Sequence, residues 1–243
     1  MADESPRQLE RGSKPIADAP AAPPSDDGFA RDLRGFGVLG LLAVVLILLG
    51  NALFLPFSAI LVLVWVRLSR TPWRDIGYVR PRSWLLTVVG GVAMGIAFKF
   101  TMKAVVMPLL GADPINHAYH YLAGNRAALP GAIYLMIAGA GFGEETMFRG
   151  YFFERFGKLL GTGTAALTAT VLIVSLGFGA AHYSMQGLAG AEQATIVGLV
   201  FGVIRVMTGR IPFLMVAHAA FDLTAVAMIY WDLETRVAHL VFR

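Results

Sequence analysis

The chain has 243 residues, 56% hydrophobic and 15% charged, with a mean hydropathy of +0.64. A soluble domain carries about a quarter charged residues, so the composition excludes one and implies a polytopic membrane protein. The net charge of +4 is modest and its arginines flank apolar stretches, which speaks for membrane orientation and against nucleic-acid binding, while the lack of cysteine excludes disulfides, thiol catalysis and thiolate metal sites.

Residues 1–34 read as a disordered N-terminal tail. Pro6, Pro15, Pro20, Pro23 and Pro24 are scattered among Ala, Asp and Ser, and no apolar h-region makes it a signal peptide. Residues 35–68 are apolar almost throughout. As one helix they would run about 50 Å, too long for a hydrocarbon core of about 30 Å, so a break near Asn51–Pro56 and two spans are expected. Arg67, Arg70, Arg74, Arg80 and Arg82 then mark a cytoplasmic loop, and Arg31 and Arg34 put the tail on the same side. A third span covers Trp84–Leu110. Its Lys99 and Lys103 share a face and read as snorkelling to the far interface, or else as the basic wall of a wet cavity. Gly91 and Gly95 form a G-x-x-x-G packing signal. The polar loop Gly111–Pro130 suits the outer side. Its His117 and His120, without a third ligand, read as solvated and not as a metal site.

A fourth span begins near Pro130 and leads through an uncharged run into Glu144, Glu145 and Arg149. A charge at mid-membrane costs roughly 2.5–3.5 kcal/mol on insertion scales, so such a cluster needs a reason. On a helix Glu145 and Arg149 share a face, in the favourable order. Glu144 lies about 100° round, over Phe148, and is left free to take a proton. The bland alternative is a salt bridge at a helix end near the headgroups. Gly139, Gly141 and Gly143 lack the spacing of a dinucleotide fingerprint and instead let helices approach closely. Arg155 and Lys158 mark a cytoplasmic end. A fifth span, Ala165–Tyr183, carries Phe178 and His182. Counting places His182 near its outer end, so a later start, near Val171, is expected, with 159–170 at the interface. A sixth covers Ala194–Met207, between Glu192 and Arg205. A seventh runs from Pro212 to Trp231 and carries His218 and Asp222 on one face.

Each histidine taken singly reads as a satisfied core residue. Their recurrence with acids on three spans is the sharper fact. A glutamate near a histidine can deprotonate a water, and a second histidine can meet the oxyanion of an attacked carbonyl. Alternatively Glu144, His182 and His218 are a candidate zinc-ligand set that lowers the pKa of bound water. Both routes end in amide hydrolysis. No H-E-x-x-H, no G-x-S-x-G and no intramembrane aspartate pair supports another protease chemistry.

In that order and spacing, E-E-x-x-x-R at Glu144–Arg149, F-x-x-x-H at Phe178–His182 and H-x-x-x-D at His218–Asp222 resemble the CAAX protease and bacteriocin-processing family. Its members are intramembrane endopeptidases, and the eukaryotic ones remove the tripeptide from prenylated CAAX proteins. The stretch 201–222, FGVIRVMTGRIPFLMVAHAAFD, resembles the family's last motif region, and Trp73–Pro81 its linker before the third span. The resemblance covers about Pro130–Ala227. It implies that Glu144 is the general base, working with His182 on the water. His218 and Asp222 would face the oxyanion or the water, and Glu145 and Arg149 would orient the site. The family is described both as zinc-dependent and as metal-free. Position 222 is Asp where the eukaryotic enzymes have Asn, and an ionised Asp accepts hydrogen bonds but cannot donate them.

The expected molecule is an all-α transmembrane bundle of about seven spans over 35–243, with its motifs in 130–227. Its tail is cytoplasmic, in a bacterial inner membrane. It acts as an intramembrane endopeptidase on a membrane-associated protein or peptide, in contact with the lipid bilayer. The rivals are a non-proteolytic immunity or scaffold protein, and a proton-coupled transporter using Glu144 and Asp222, for which no inverted repeat is visible.

Overall fold

The computed structural model describes residues 27–53 and 56–242, and among them every regular element is helical. Helix α1 (Gly28–Arg34) starts where the Asp27 carboxylate accepts the Phe29 N–H at 3.2 Å. The expected tail therefore gives way to helix at Gly28, and its residues 1–26 lie outside the described residues. Helices α2 (Val38–Leu53) and α3 (Phe57–Leu68) divide the first apolar run where its length demanded a break. Ser58 Oγ donates to the Ile47 carbonyl across that hairpin at 2.8 Å, and Trp65 Nε1–H donates to the Leu33 carbonyl at 3.1 Å, fastening α1 to α3.

Helix α4 (Trp84–Leu109) is capped by Ser83, which accepts the Leu86 N–H at 3.3 Å. Helix α5 (129–160) starts as Leu129–Tyr134 and ends as Phe153–Leu160. Between them, Leu135–Phe152 is a π-helix, a wider winding that is rare at any length and recurs at functional sites. Helix α6 (Thr164–Thr208) is broken at Gly187, whose φ of 66° and ψ of −162° reverse the chain. A Cβ on Gly198 would stand 2.9 Å from Ser175 Cβ and one on Gly202 3.0 Å from Val171 Cγ1, so the two arms of α6 run antiparallel. They coincide with the helices expected for the fifth and sixth spans. The first arm starts at Thr164 and not near Val171, because Thr164–Leu167 has neither proline nor glycine to delay the helix. Helix α7 (Pro212–Tyr230) opens with proline, which costs no intrahelical bond there. The short α8 (Glu234–Ala238) follows.

Among the described residues three helices, α4, α6 and α7, are long and apolar enough to cross a membrane, or four if α1 and α2 make one span bent by 57°. The expected count of seven is not reached. Helix α3 has 12 residues, α5 carries the charged π-helical stretch, and α6 counts once although it folds back on itself.

Small residues set the packing. A Cβ on Gly91 would come within 2.9 Å of Val216, and one on Gly95 would run into the Ala217 carbonyl, so the G-x-x-x-G of α4 seats α7. A Cβ on Gly141 would lie 2.8 Å from the Met215 carbonyl oxygen, so α5 approaches α7 equally closely. At the arginine-rich end, Arg205 donates from Nε to the Arg149 carbonyl and from Nη2 to the Asp75 carbonyl, each at 3.0 Å. Tyr78 and Thr146 share a hydroxyl hydrogen bond of 2.8 Å, and the Ile211 N–H donates to the Gly77 carbonyl at 3.0 Å. These bonds knot the 73–81 linker and the 205–211 turn onto the π-helix. Burial pushes the Tyr78 phenol up to about 12, so it takes part as a neutral group.

Candidate active site

Glu145 and Arg149 sit one turn apart in the π-helix, with side chains 0% and 1% exposed, and Arg149 Nη1 donates to Glu145 Oε1 at 2.8 Å. The pair is therefore enclosed by protein and is not a surface salt bridge. The guanidinium also stacks on two rings, 4.5 Å from the centre of Phe178 and 5.5 Å from that of Phe201. Glu145 Oε1 takes a second partner, His218 Nδ1, at 2.7 Å. A carboxylate can only accept here, so Nδ1 carries the proton and Nε2 is turned the other way.

His218 Nε2 lies 3.7 Å from Glu144 Oε2 and 3.6 Å from Asp222 Oδ2, facing both carboxylates without a direct hydrogen bond. Glu144 Oε2 has no hydrogen-bond partner among the described residues. His182 Nδ1 donates to the Phe178 carbonyl at 2.8 Å, which leaves its Nε2 free as well. The Phe178 ring stands edge-on to His182 at 4.6 Å and to His218 at 5.9 Å, a wedge that spaces the two imidazoles.

Glu144, Phe178, His182, His218 and Asp222 line one cavity of about 670 Å³ between α4, α5, α6 and α7. Asn116, Tyr119 and Tyr121 line it from the 110–128 loop. Burial, then the charges of Asp222 and Glu144, push the Tyr119 phenol up to about 12. The outer placement of His182 needs no late helix start: His182 lies five residues before the Gly187 reversal, where the Phe178 ring links it to His218.

The two histidines, each with Nδ1 tied back to the protein, and the open Glu144 oxygen have the chemistry of zinc ligands. As placed they do not fit a zinc ion, because no three His, Asp or Glu side chains among the described residues are gathered closely enough to hold one.

Of the two readings of Lys99 and Lys103, the basic cavity wall stands and the snorkelling one is corrected. Lys99 and Lys103 are 5% and 9% exposed and do not snorkel. Lys99 Nζ donates to Gln193 Oε1 at 3.1 Å in the cavity wall. Lys103 pairs with Glu234 at 3.0 Å and also donates to the Pro114 carbonyl. Glu234 accepts the Asn116 N–H at 3.1 Å too, so it clamps the 110–128 loop over the cavity. The i, i+4 spacing of the lysines gave the one usable signal, the basic cavity wall. Nothing in the sequence pointed to Gln193 or Glu234.

Residues 126–224 match the model of the Rce1-like family, the type II CAAX prenyl endopeptidase Rce1-like proteins. The matched segment spans Glu144, His182, His218 and Asp222 and bears out the resemblance read from the motifs. No curated protein and no solved structure matches the chain. The match is to a protease family, and with the apolar helices it supports an enzyme embedded in the membrane.

Proposed function

We propose that the chain is an intramembrane endopeptidase that hydrolyses a peptide bond of a membrane-associated protein or peptide without a metal. The observation that carries this reading is the meeting of Glu144, His182, His218 and Asp222 in one cavity, with His218 anchored on a carboxylate that Arg149 already neutralises. Glu144, whose buried Oε2 has no hydrogen-bond partner among the described residues, removes a proton from water as the hydroxide adds to the scissile carbonyl carbon. His182 Nε2 accepts a hydrogen bond from the same water and aims it. His218, carrying both protons, donates from Nε2 to the oxyanion that forms. Its charge is surrounded by Glu145, Asp222 and Glu144. As the C–N bond breaks, Glu144 passes its proton to the leaving amine, giving a carboxylate and an amine. Asp222 faces His218 Nε2 and orients it; as a carboxylate it is no oxyanion donor.

The test is a comparison of membrane peptidomes with and without the Glu144→Gln protein, followed by turnover of the peptide so identified. Glu144→Gln should lower turnover by about 10²–10⁴-fold, because an amide cannot act as base. Asp222→Asn should keep most of the turnover, since Asn is nearly isosteric and no direct hydrogen bond to His218 is lost. Chelator should leave the wild type unchanged. One bound zinc per chain, lost together with activity in Asp222→Asn, overturns the metal-free route. A cellular phenotype that survives Glu144→Gln intact points to a scaffold in place of a protease.

A further inference from the structure

Among the described residues the buried cations other than Lys99 each hold a carboxylate or backbone carbonyls, although Arg149 Nε and Nη2 are without a hydrogen bond. Arg149 has Glu145, Arg155 has Glu154, Lys103 has Glu234, and Arg205 has two backbone carbonyls. Lys99 is different. It is 5% exposed, yet no carboxylate lies within ion-pair distance of it among the described residues, and its polar partner is the neutral Gln193 Oε1 at 3.1 Å. Its ammonium also sits 4.7 Å from the centre of the Phe221 ring. An ammonium has three protons to donate, and Gln193 takes one.

Lys99 and Gln193 border both the large cavity and a smaller one of about 230 Å³ beside it. The acids of the smaller cavity are already held. Glu234 is bound by Lys103 and the Asn116 N–H, and Asp113 by His117 Nε2 at 3.1 Å and the Ile115 N–H at 2.8 Å. Asp222 lines the large cavity, beyond ion-pair distance of Lys99. Gln193, with its oxygen on Lys99, keeps its amide N–H groups as further donors. A buried cation beside an amide, open to a cavity and short of an anion, is a receptor for a carboxylate.

We propose that Lys99, with Gln193, binds a carboxylate of the substrate and sets which peptide bond reaches Glu144. The carboxylate comes from the substrate's C-terminus or from an acidic side chain downstream of the scissile bond. The peptide would then lie across both cavities, its scissile carbonyl at Glu144 and its carboxylate at Lys99. The assignment rests on the protease reading for the word substrate, and its test does not depend on turnover.

The test uses the Glu144→Gln protein in lipid nanodiscs and a fluorescent, N-acylated synthetic octapeptide of Ala, Leu and Val. Three forms are titrated by anisotropy: a free C-terminal carboxylate, a C-terminal amide, and the amide with Asp as its last residue. The free acid should bind about tenfold tighter than the plain amide, the usual worth of a charge-assisted hydrogen bond. Tight binding of the Asp form as well assigns the site to either source of carboxylate; its absence assigns it to the C-terminus. Lys99→Met in the same background should erase the difference and Lys99→Arg should keep it. Should the Met protein fail to fold, Lys99→Gln against Lys99→Arg makes the same comparison. Equal affinity of all three forms, no binding of any, or a preference that survives loss of the Lys99 charge overturns the proposal. If Lys99 serves to balance Asp222, its replacement weakens acid and amide alike. Carboxylate selectivity in a protein that cleaves nothing would sink the protease reading and leave this one standing.

Discussion

At the scale of single residues, Glu145 holds the site together. One oxygen accepts from Arg149 and from His218, so one carboxylate fixes the orientation of the imidazole and neutralises the buried guanidinium. Arg149→Ala breaks a buried ion pair and leaves the carboxylate, 0% exposed, with His218 as its remaining partner, a loss of about 3–5 kcal/mol. The expected outcome is poor expression and a lowered melting temperature in detergent, beyond any effect on turnover. Arg149→Lys should recover part of the stability but not all, because an ammonium cannot reproduce the flat stacking on Phe178 and Phe201. Full thermal stability of Arg149→Ala would refute the pairing. This cluster was legible in the sequence because ionisable groups stand out in apolar runs, and helical spacing alone put Glu145 with Arg149 and His218 with Asp222. Its internal wiring was not legible. Nothing in the spacing says that Glu145, and not Glu144, takes His218 Nδ1, since that choice depends on how closely α5 and α7 approach.

Elements bring these residues together through glycine. Helix α4 meets α7 at Gly91 and Gly95, and α5 meets α7 at Gly141, so the helix carrying His218 and Asp222 is seated by contacts too close for a side chain. Gly95→Ala would drive a methyl into the Ala217 carbonyl and to within 2.8 Å of the Phe221 nitrogen, neither of which can swing aside. Overpacking of this kind costs about 1–3 kcal/mol, and here it would also move His218 relative to Glu145. Turnover should therefore fall more steeply than the melting temperature suggests. Gly157→Ala, where an added Cβ meets nothing within 4 Å, is the matched control and should change neither quantity appreciably. The G-x-x-x-G was visible in the sequence as a packing signal, and its partner was not. The π-helix had no sequence signature, because its pattern of apolar and small residues also suits an ordinary helix. The reversal at Gly187 was legible as two spans, although the residue that turns the chain was not singled out.

For the whole molecule, charge divides the two ends and the cavity belongs to one of them. Arg67, Arg70, Arg74, Arg80 and Arg82 lie at or between the facing ends of α3 and α4. Arg205 is hydrogen-bonded to the linker there, so the inner ends of α5, α6 and α7 gather on the same side. The opposite side holds the 110–128 loop, the Gly187 reversal and Glu234, and from it Asn116, Tyr119 and Tyr121 line the cavity. The positive-inside rule leads us to propose that the arginine-rich end is cytoplasmic and the cavity mouth faces away from the cytoplasm. The absence of cysteine makes this directly measurable, since one introduced thiol reports alone. Ala127→Cys, exposed in the outer loop, should be labelled by a membrane-impermeant maleimide in intact cells. Arg74→Cys, whose native side chain is 81% exposed, should be labelled after the membrane is opened and not before. The reverse pattern would turn the molecule over, place the mouth beside the cytoplasm, and require that the substrate's cleaved segment reach Glu144 from that side.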